Sequence, residues 1–297
     1  MVGFMKIWRF DVQCVTCILN KFLGNWPEGA TGEQKLQYAR ALSKIISDSD
    51  NTVSAPEIVA LATAKKAEIF GVFDDFANEK SHFNQLMMSV EGAVEDGILS
   101  AEDPLKKAMR FALLGNYIDF GAMDSVDETR LLEMFKNVDR LSLDEEEYSN
   151  FCTELGAAKR LVYLTDNCGE VVMDKLLIKQ LKRVNPGLSV TVLVRGESVL
   201  NDATMQDACQ IGLTNVAIVI PNGTGIAGTC IEKLSDEARN AVLTADIIIS
   251  KGQGNFETLH DCGLNIYYLF LCKCKLFSDR FNVKPLTEMF LNDKRMK

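Results

Sequence analysis

Four short runs rich in β-branched residues alternate with helical patterns in the second half of the chain, and this alternation constrains the fold more than any other feature. The runs cover residues 160–165, 189–195, 215–220 and 245–250, and helical segments such as 174–184 separate them. Strands that alternate with helices form parallel sheets, because each parallel connection needs a long crossover. The runs are apolar almost throughout, as expected when helices cover both faces of a sheet. We therefore predict a three-layer α/β/α, mostly parallel, Rossmann-like sheet.

The first half of the chain differs, because its apolar residues recur at helical spacing and alternating runs are almost missing from it. Ser54, Pro56 and Glu57 provide an N-cap, a first-turn proline and a capping-box partner, so they predict the start of a helix. We predict a helical domain over residues 1–155 that closes over a site in an α/β domain over residues 156–297.

Composition excludes several classes of protein. The 297 residues are 47% hydrophobic and 25% charged, which is typical of a globular protein. A net charge of −9 without a run of Lys or Arg argues against binding to nucleic acid or to an anionic membrane surface. The apolar stretch at 266–271 is far shorter than the roughly 20 residues that cross a bilayer, and the N-terminus lacks the long apolar core of a signal peptide. We expect a cytoplasmic protein, and the sequence leaves its oligomeric state open.

Polar residues follow all four predicted strands, at the edge where ligands bind to open parallel sheets. These residues are Asp166, Asn167 and Glu170 after the first strand, Asn201 and Asp202 after the second, Asn222 after the third, and Lys251, Gly252, Gln253, Gly254, Asn255 and Glu257 after the fourth. Asp166, Asn167 and Asp202 offer hard oxygen ligands suited to Mg²⁺ or Mn²⁺. Such residues often cap helices instead, but capping readily explains only one of the adjacent pair Asp166 and Asn167. We predict a metal-assisted phosphoryl site, with Lys251 as a cation on its rim.

Other kinds of site fit the sequence less well. The glycine motif at 223–228 matches the dinucleotide fingerprint, but it follows the third strand, and no acidic residue ends the next strand to hold a ribose hydroxyl. A Ser/His or Cys/His pair is unsupported, because His82 and His260 are the only histidines and neither lies beside a nucleophile elbow. Phosphatases with an aspartate nucleophile carry Asp-x-Asp after a strand, whereas Cys168 occupies the third position here.

Taken together, these residues resemble the metal-dependent damage-control phosphatases, a family long described only as a domain of unknown function. The similarity rests on Asp-Asn-x-Gly-Glu at 166–170, Asn-Asp-x-Thr at 201–204 and Lys-Gly-x-Gly-Asn-Phe-Glu at 251–257. It extends to Gly-Asn-Tyr-Ile-Asp-Phe at 115–120 and to Lys-Cys at 273–274. The sequence departs from the family pattern after Lys273, where the expected glycine is missing, and at Cys168.

The resemblance implies a metal-dependent phosphoric monoester hydrolase. In this family Asp166, Asn167 and Asp202 would be the metal ligands, for Mn²⁺, Co²⁺, Ni²⁺ or Mg²⁺. The loop at 251–257 and Lys273 would contact the substrate phosphate, and Asn116 and Asp119 would reach in from the helical half. The expected partner is a small phosphorylated metabolite, such as a damaged or surplus sugar phosphate.

Several alternatives stay open at this point. Cys14-x-x-Cys17 resembles the cysteine pair of the prokaryotic branch of the family, and the two residues could pack, form a disulfide or bind a second metal. Attack on phosphorus by water, which we favour, competes with attack by the Asp166 carboxylate. A non-catalytic sensor of phosphorylated metabolites would use the same metal site. A carboxyl methyltransferase, proposed for a eukaryotic branch, would need an S-adenosylmethionine site that the sequence does not offer.

Overall fold

The computed structural model of the chain describes residues 10–50, 52–71, 76–119 and 126–296. Over these ranges the chain forms twelve α-helices and six β-strands. Two features named above lie outside the described residues: the first nine residues, in which we expect no signal peptide, and Phe120, the last residue of the segment at 115–120.

Seven described helices precede the first strand. They are α1 (Val12–Gly24), α2 (Gly32–Asp48), α3 (Ala55–Phe70), α4 (Ala77–Leu99), α5 (Pro104–Gly115), α6 (Glu128–Lys136) and α7 (Glu145–Ala157). Helix α3 begins where the sequence predicts it, because Ser54 is its N-cap and donates its backbone N–H and its hydroxyl to the Glu57 carboxylate at 2.8 and 2.7 Å. Asp103 and Asp144 cap α5 and α7 by accepting from backbone N–H groups three residues further on.

Strands and helices alternate in the second half. The strands are β1 (Arg160–Leu164), β2 (Ser189–Val194), β3 (Ile218–Pro221), β4 (Ile247–Lys251), β5 (Ile266–Cys272) and β6 (Thr287–Asn292), and the helices are α8 (Glu170–Val184), α9 (Met205–Gln210), α10 (Asp236–Leu243), α11 (Gln253–Leu259) and α12 (Lys275–Phe281). They form one sheet in the order β3-β2-β1-β4-β5-β6. The first five strands are parallel, and β6 is antiparallel to β5. The prediction of a mostly parallel α/β sheet is confirmed.

Strands β5 and β6 are additions to the four strands predicted from the sequence. All seven residues of β5 are buried, and an apolar run of this length fits a buried strand or a buried helix equally well. β6 pairs along nearly all of β5, from Tyr267 opposite Asn292 to Cys272 opposite Thr287. None of the described helices is long and apolar enough to span a membrane.

Helices cover both faces of the sheet, so the protein has three layers. Leu161 and Tyr163 of β1 belong to a large buried cluster with α4, α5, α7 and α8, whereas Val162 and Leu164 belong to a second cluster with α10, α11 and α12. Helices α1 to α3 pack around a smaller cluster of their own. The strand order reverses between β1 and β4, which opens a crevice beyond the carboxyl ends of these two strands.

Candidate active site

The turn after β1 places Asp166 and Asn167 at the edge of the sheet, against the loop that follows β2. The backbone carbonyl of Asp166 accepts from the N–H of Ala203 at 2.8 Å. Asn167 also pairs with Asp202 as an isolated antiparallel bridge. The three residues predicted as metal ligands, Asp166, Asn167 and Asp202, therefore come together, and all three are buried.

A glycine at the end of β4 allows the neighbouring strand to approach the Asp166 carboxylate. Gly252 has a φ of +78°, and a Cβ built on it would lie 2.0 Å from Oδ2 of Asp166. Both the backbone conformation and the lack of space therefore favour glycine. As a result, the carboxylate of Asp166 lies directly against the loop at 251–257.

Arg195, the residue after β2, lies between the two acidic side chains. Its Nε donates to Oδ2 of Asp202 at 2.6 Å, and one terminal nitrogen lies 3.8 Å from Oδ1 of Asp166. The side chain is buried. The sequence analysis did not select Arg195, although a charged residue at the carboxyl end of an apolar strand was a signal that could have identified it.

Burial and charge repulsion both act on these carboxyls. Burial, followed by the charges of Asp202 and Glu170, raises the pKa of the Asp166 carboxyl well above its usual range. Burial raises the pKa of Asp202 to about 6, although the charge of Arg195 lowers it. Both carboxyls are therefore harder to ionise than usual, mainly because they are buried, despite the guanidinium beside them.

Lys251, the last residue of β4, is fully buried. Its ammonium donates to Glu170, to Oδ1 of Asp174 at 2.8 Å and to the carbonyl of Ala112 at 2.9 Å. An ammonium has three N–H groups, and these three partners use all of them. This differs from the expectation that Lys251 contacts a phosphate: the structure places it as the counter-ion of two acidic side chains. Asp174, one turn after Glu170 on α8, is a second residue that the sequence analysis did not select.

Two amide side chains bridge the carboxylates of Asp166 and Glu170. Oε2 of Glu170 accepts from the Nδ2 atoms of Asn116 and Asn167 at 2.9 and 3.1 Å. The same two nitrogens donate to Oδ2 of Asp166 at 3.0 and 2.8 Å. Oδ1 of Asn116 accepts from the backbone N–H of Leu271 at 3.0 Å. Asn116 therefore ties the end of α5 to β1 and β5, as expected of a residue that reaches in from the helical half.

Asp119 and Lys273 form an ion pair at 2.6 Å. The charges of both residues act on the pKa of Asp166, so they belong to the same crevice. Oε1 of Gln253 accepts from the backbone N–H of Lys273 at 3.2 Å, and its Nε2 donates to Glu257 at 2.8 Å. Burial raises the pKa of Glu257 to about 7, although the bond from Gln253 lowers it.

Asn255 and Gly254, also predicted to bind substrate, contact the surrounding backbone. The Asn255 amide donates to the carbonyl of Lys251 at 2.8 Å, and its Oδ1 accepts from Arg195 at 3.3 Å. A Cβ on Gly254 would lie 2.2 Å from the carbonyl oxygen of Ala227. These contacts hold the loop at 251–257 against the neighbouring backbone.

Asn201 and Asn222 organise the loops after β2 and β3. The backbone carbonyl of Asn201 accepts from the N–H of Cys168 at 2.8 Å. Oδ1 of Asn222 accepts from the backbone N–H groups of Gly196 and Thr224, each at 2.9 Å. Asn222 therefore contacts the neighbouring loop backbone rather than the carboxylate pair.

Comparison with known proteins identifies the family. A family model described as the damage-control phosphatase ARMT1-like domain matches residues 10–288. The chain belongs to the ARMT1-like damage-control phosphatase family. A damage-control phosphatase from Archaeoglobus fulgidus is 34% identical over 235 residues, which are 76% of this chain and 80% of that protein. A damage-control phosphatase from Pyrococcus horikoshii is 28% identical over 274 residues, 90% of this chain and 92% of that protein.

A solved structure agrees on the fold. The crystal structure of a DUF89-family protein from Pyrococcus horikoshii matches with a TM-score of 0.79 and 23% identity, covering 96% of this chain and 99% of that one. The family inferred from the motifs is thus confirmed, and membership of the damage-control phosphatases supports phosphatase activity. Assignment to the branch with Cys14-x-x-Cys17 stays a prediction; in the structure both cysteines lie on α1 as free thiols.

The acidic residues of this damage-control phosphatase outnumber the basic ones around the predicted metal ligands. Arg195 lies between two carboxylates, those of Asp166 and Asp202; Lys251 contacts another two, and Lys273 contacts one. Five acidic groups therefore meet three basic ones, and a bound divalent cation would favour the ionised form of the buried carboxyls. Within the described ranges, no group of three His, Cys, Asp or Glu side chains is arranged to hold a metal ion. Asp166, Asn167 and Asp202 together offer two carboxylates and one amide oxygen, which are donor types that suit a hard cation.

Proposed function

We propose that this chain is a divalent-metal-dependent phosphatase that hydrolyses small phosphorylated metabolites, such as sugar phosphates or related damaged metabolites. The observation that carries the proposal is that Asp166 and Asp202 come together in the loops after the adjacent strands β1 and β2, with Arg195 beside both and more acidic than basic groups around them. A phosphate monoester is itself an anion, so it can enter such a site only with a cation. Family membership supports the same reaction class.

The metal would be held by Asp166, Asn167 and Asp202, with Mn²⁺, Co²⁺, Ni²⁺ or Mg²⁺ as candidates. When bound, such an ion neutralises charge on the phosphoryl group and orients the reacting groups. The protein's own contribution is to hold the ligands rigidly. Asn116 and Asn167 fix the Asp166 carboxylate by donating hydrogen bonds to it, and Arg195 fixes the carboxylate of Asp202 in the same way.

Besides the proposed metal ion, Lys273 provides positive charge near the crevice, where it pairs with Asp119. Its ammonium lies close enough to Asp166 to lower the pKa of that carboxyl, so it can attract the phosphate of a substrate that enters the same crevice. Asp119 is half-buried and can accept hydrogen bonds from the hydroxyl groups of the substrate. Together the two residues provide recognition of both the phosphate and the polar remainder of a small metabolite.

The test is phosphate release from an aryl phosphate and a panel of sugar phosphates, with each metal or with chelator. We expect release that needs metal, and an Asp202→Asn variant that is folded but at least about a hundredfold slower, the usual scale for loss of a group that stabilises transition-state charge. Asp293→Asn is the matched control, because Asp293 is also a buried acid but accepts from Asp261 and Tyr268, on a different part of the protein.

The competing interpretation is a sensor that binds phosphorylated metabolites without hydrolysing them. Folded wild-type protein that binds metal and a sugar phosphate but releases no phosphate with any of the four metals would support the sensor and overturn the phosphatase.

A further inference from the structure

Arg195 is a buried arginine without a role in the function described so far, beyond its contact with Asp202. It follows the last residue of β2, and its side chain is only 3% exposed. A guanidinium is almost never neutral in a protein, so burying it is costly unless each of its N–H groups has a partner. The partners of its three nitrogens therefore indicate what the residue does.

Two of the three nitrogens are tied to the protein. Nε donates to Oδ2 of Asp202 at 2.6 Å. Nη1 donates to the carbonyl of Gly228 at 2.7 Å and to Oδ1 of Asn255 at 3.3 Å. Asn255 is held in turn by the carbonyl of Thr165 at 3.1 Å. The hydrogen bonds of Nε and Nη1 therefore fix the orientation of the guanidinium group.

The third nitrogen of Arg195, Nη2, is buried and has no hydrogen-bond partner in the described part of the chain. Oδ1 of Asp166 lies 3.8 Å away, which is beyond hydrogen-bond distance. Because Nε and Nη1 are anchored, Nη2 is held with two unused N–H groups near the carboxylate of Asp166, one of the residues proposed to hold the metal.

We propose that Nη2 of Arg195 donates to a non-bridging oxygen of the substrate's phosphoryl group, which makes Arg195 a catalytic residue. The inference rests on the proposed function, since it assigns a partner within the same site. A planar guanidinium matches the oxygens of a phosphoryl group well, and hydrogen bonds between them are strong because both partners are charged. A ligand oxygen at this position would also give a partner to the nitrogen of Arg195 that has none among the described residues.

Arg195 acts here as a donor only. In hydrolysis the water oxygen bonds to phosphorus, the bond from phosphorus to the leaving alcohol oxygen breaks, and the two protons of the water end on the alcohol and on the released phosphate. Negative charge spreads over the non-bridging oxygens as the reaction proceeds, and a guanidinium fixed beside them stabilises it without a proton transfer. Through Nε, the same side chain keeps Asp202 in position.

The experiment measures binding of inorganic phosphate by calorimetry at saturating Mn²⁺, together with the Mn²⁺ affinity without phosphate, for wild type, Arg195→Lys and Arg195→Gln. We expect phosphate to bind both variants roughly ten- to a hundredfold more weakly, as for loss of a hydrogen bond between charged groups, while Mn²⁺ still binds. Arg195→Lys keeps a charge in the core and serves if the glutamine variant does not fold. Arg239→Lys is the matched control, because Arg239 donates to the backbone carbonyls of Ile231 and Glu232 in a different loop.

Unchanged phosphate affinity in a folded Arg195 variant would overturn the inference, and so would a loss confined to Mn²⁺ affinity, which would leave Arg195 only a support for Asp202. A different result would contradict the proposed function, namely wild-type protein that shows no metal-dependent turnover. Phosphate binding to the wild type and the variants still tests Arg195 in that case.

Discussion

Nδ2 of Asn116 donates to Oε2 of Glu170 at 2.9 Å, so the end of α5 is tied to the first turn of α8. The two helices approach closely here, because a Cβ on Gly115 would lie 3.2 Å from Cα of Glu170. The contact joins a helix from the first half of the chain to the β1 turn that carries Asp166. Residues distant in sequence therefore determine how rigidly the predicted metal ligands are held.

Loss of the buried cation should destabilise the fold. In Lys251→Met, the carboxylates of Glu170 and Asp174 keep their burial but lose their counter-ion. We expect the free energy of unfolding to fall by about 3–5 kcal/mol, the range for breaking a buried ion pair from one side, as measured by urea denaturation. Lys275→Met is the control: the pair of Lys275 with Asp279 is exposed, and its loss should cost less than about 1 kcal/mol. Equal losses in both variants would contradict a structural role for Lys251.

The close approach of β4 to Asp166 can be tested with two glycines. Gly252 and Gly263 both have positive φ, at +78° and +80°, but only a Cβ on Gly252 would meet the Asp166 carboxylate. We expect each alanine variant to lose roughly 1–3 kcal/mol from backbone strain, with the larger loss in Gly252→Ala because its ψ of 156° lies in a region that essentially only glycine adopts. Gly252→Ala alone should also lose metal affinity, because the added methyl displaces Asp166. Calorimetric titration with Mn²⁺ measures this difference, and full Mn²⁺ affinity in Gly252→Ala would contradict the proposed ligand.

An added carboxylate should disrupt the amide network. In Asn116→Asp, two hydrogen-bond donations are replaced by repulsion from Asp166 and Glu170. We expect a loss of about 3 kcal/mol in the free energy of unfolding, as for an unpaired buried charge. Asn185→Asp is the matched control, since Asn185 donates to the carbonyls of Leu155 and Ala158 and not to carboxylates. A smaller loss of unfolding free energy in Asn116→Asp than in the control would show that repulsion from Asp166 and Glu170 does not act on residue 116.

A divalent metal should stabilise the folded protein. A ligand that binds only the native state adds about 2.7 kcal/mol at a hundredfold excess over its dissociation constant, so thermal unfolding should shift upwards with Mn²⁺. Asp166→Asn should abolish the shift, whereas Asp279→Asn, on the exposed surface, should keep it. An undiminished shift in Asp166→Asn would place the metal elsewhere.

Local patterns in the sequence were sufficient for much of the fold. The runs of β-branched residues predicted β1, β2, β3 and β4, because strands buried on both faces need continuous apolar stretches. The signal at Ser54 and Glu57 predicted the start of α3, because a capping box is satisfied by residues three apart. Polar residues after each strand predicted where the site would lie, because parallel strands end at the same edge.

Tertiary structure decided what those patterns leave open. Whether residues 266–272 form a strand depends on the pairing of β5 with β4 and β6, and an apolar run does not encode its partners. The direction of the Lys251 side chain depends on Glu170, 81 residues away in sequence. The sequence by itself determined strands β1 to β4 and the family motifs, and it predicted the edge at which the candidate site lies. The folded chain decided which charged groups face each other, because ion pairs form between residues that only packing brings together.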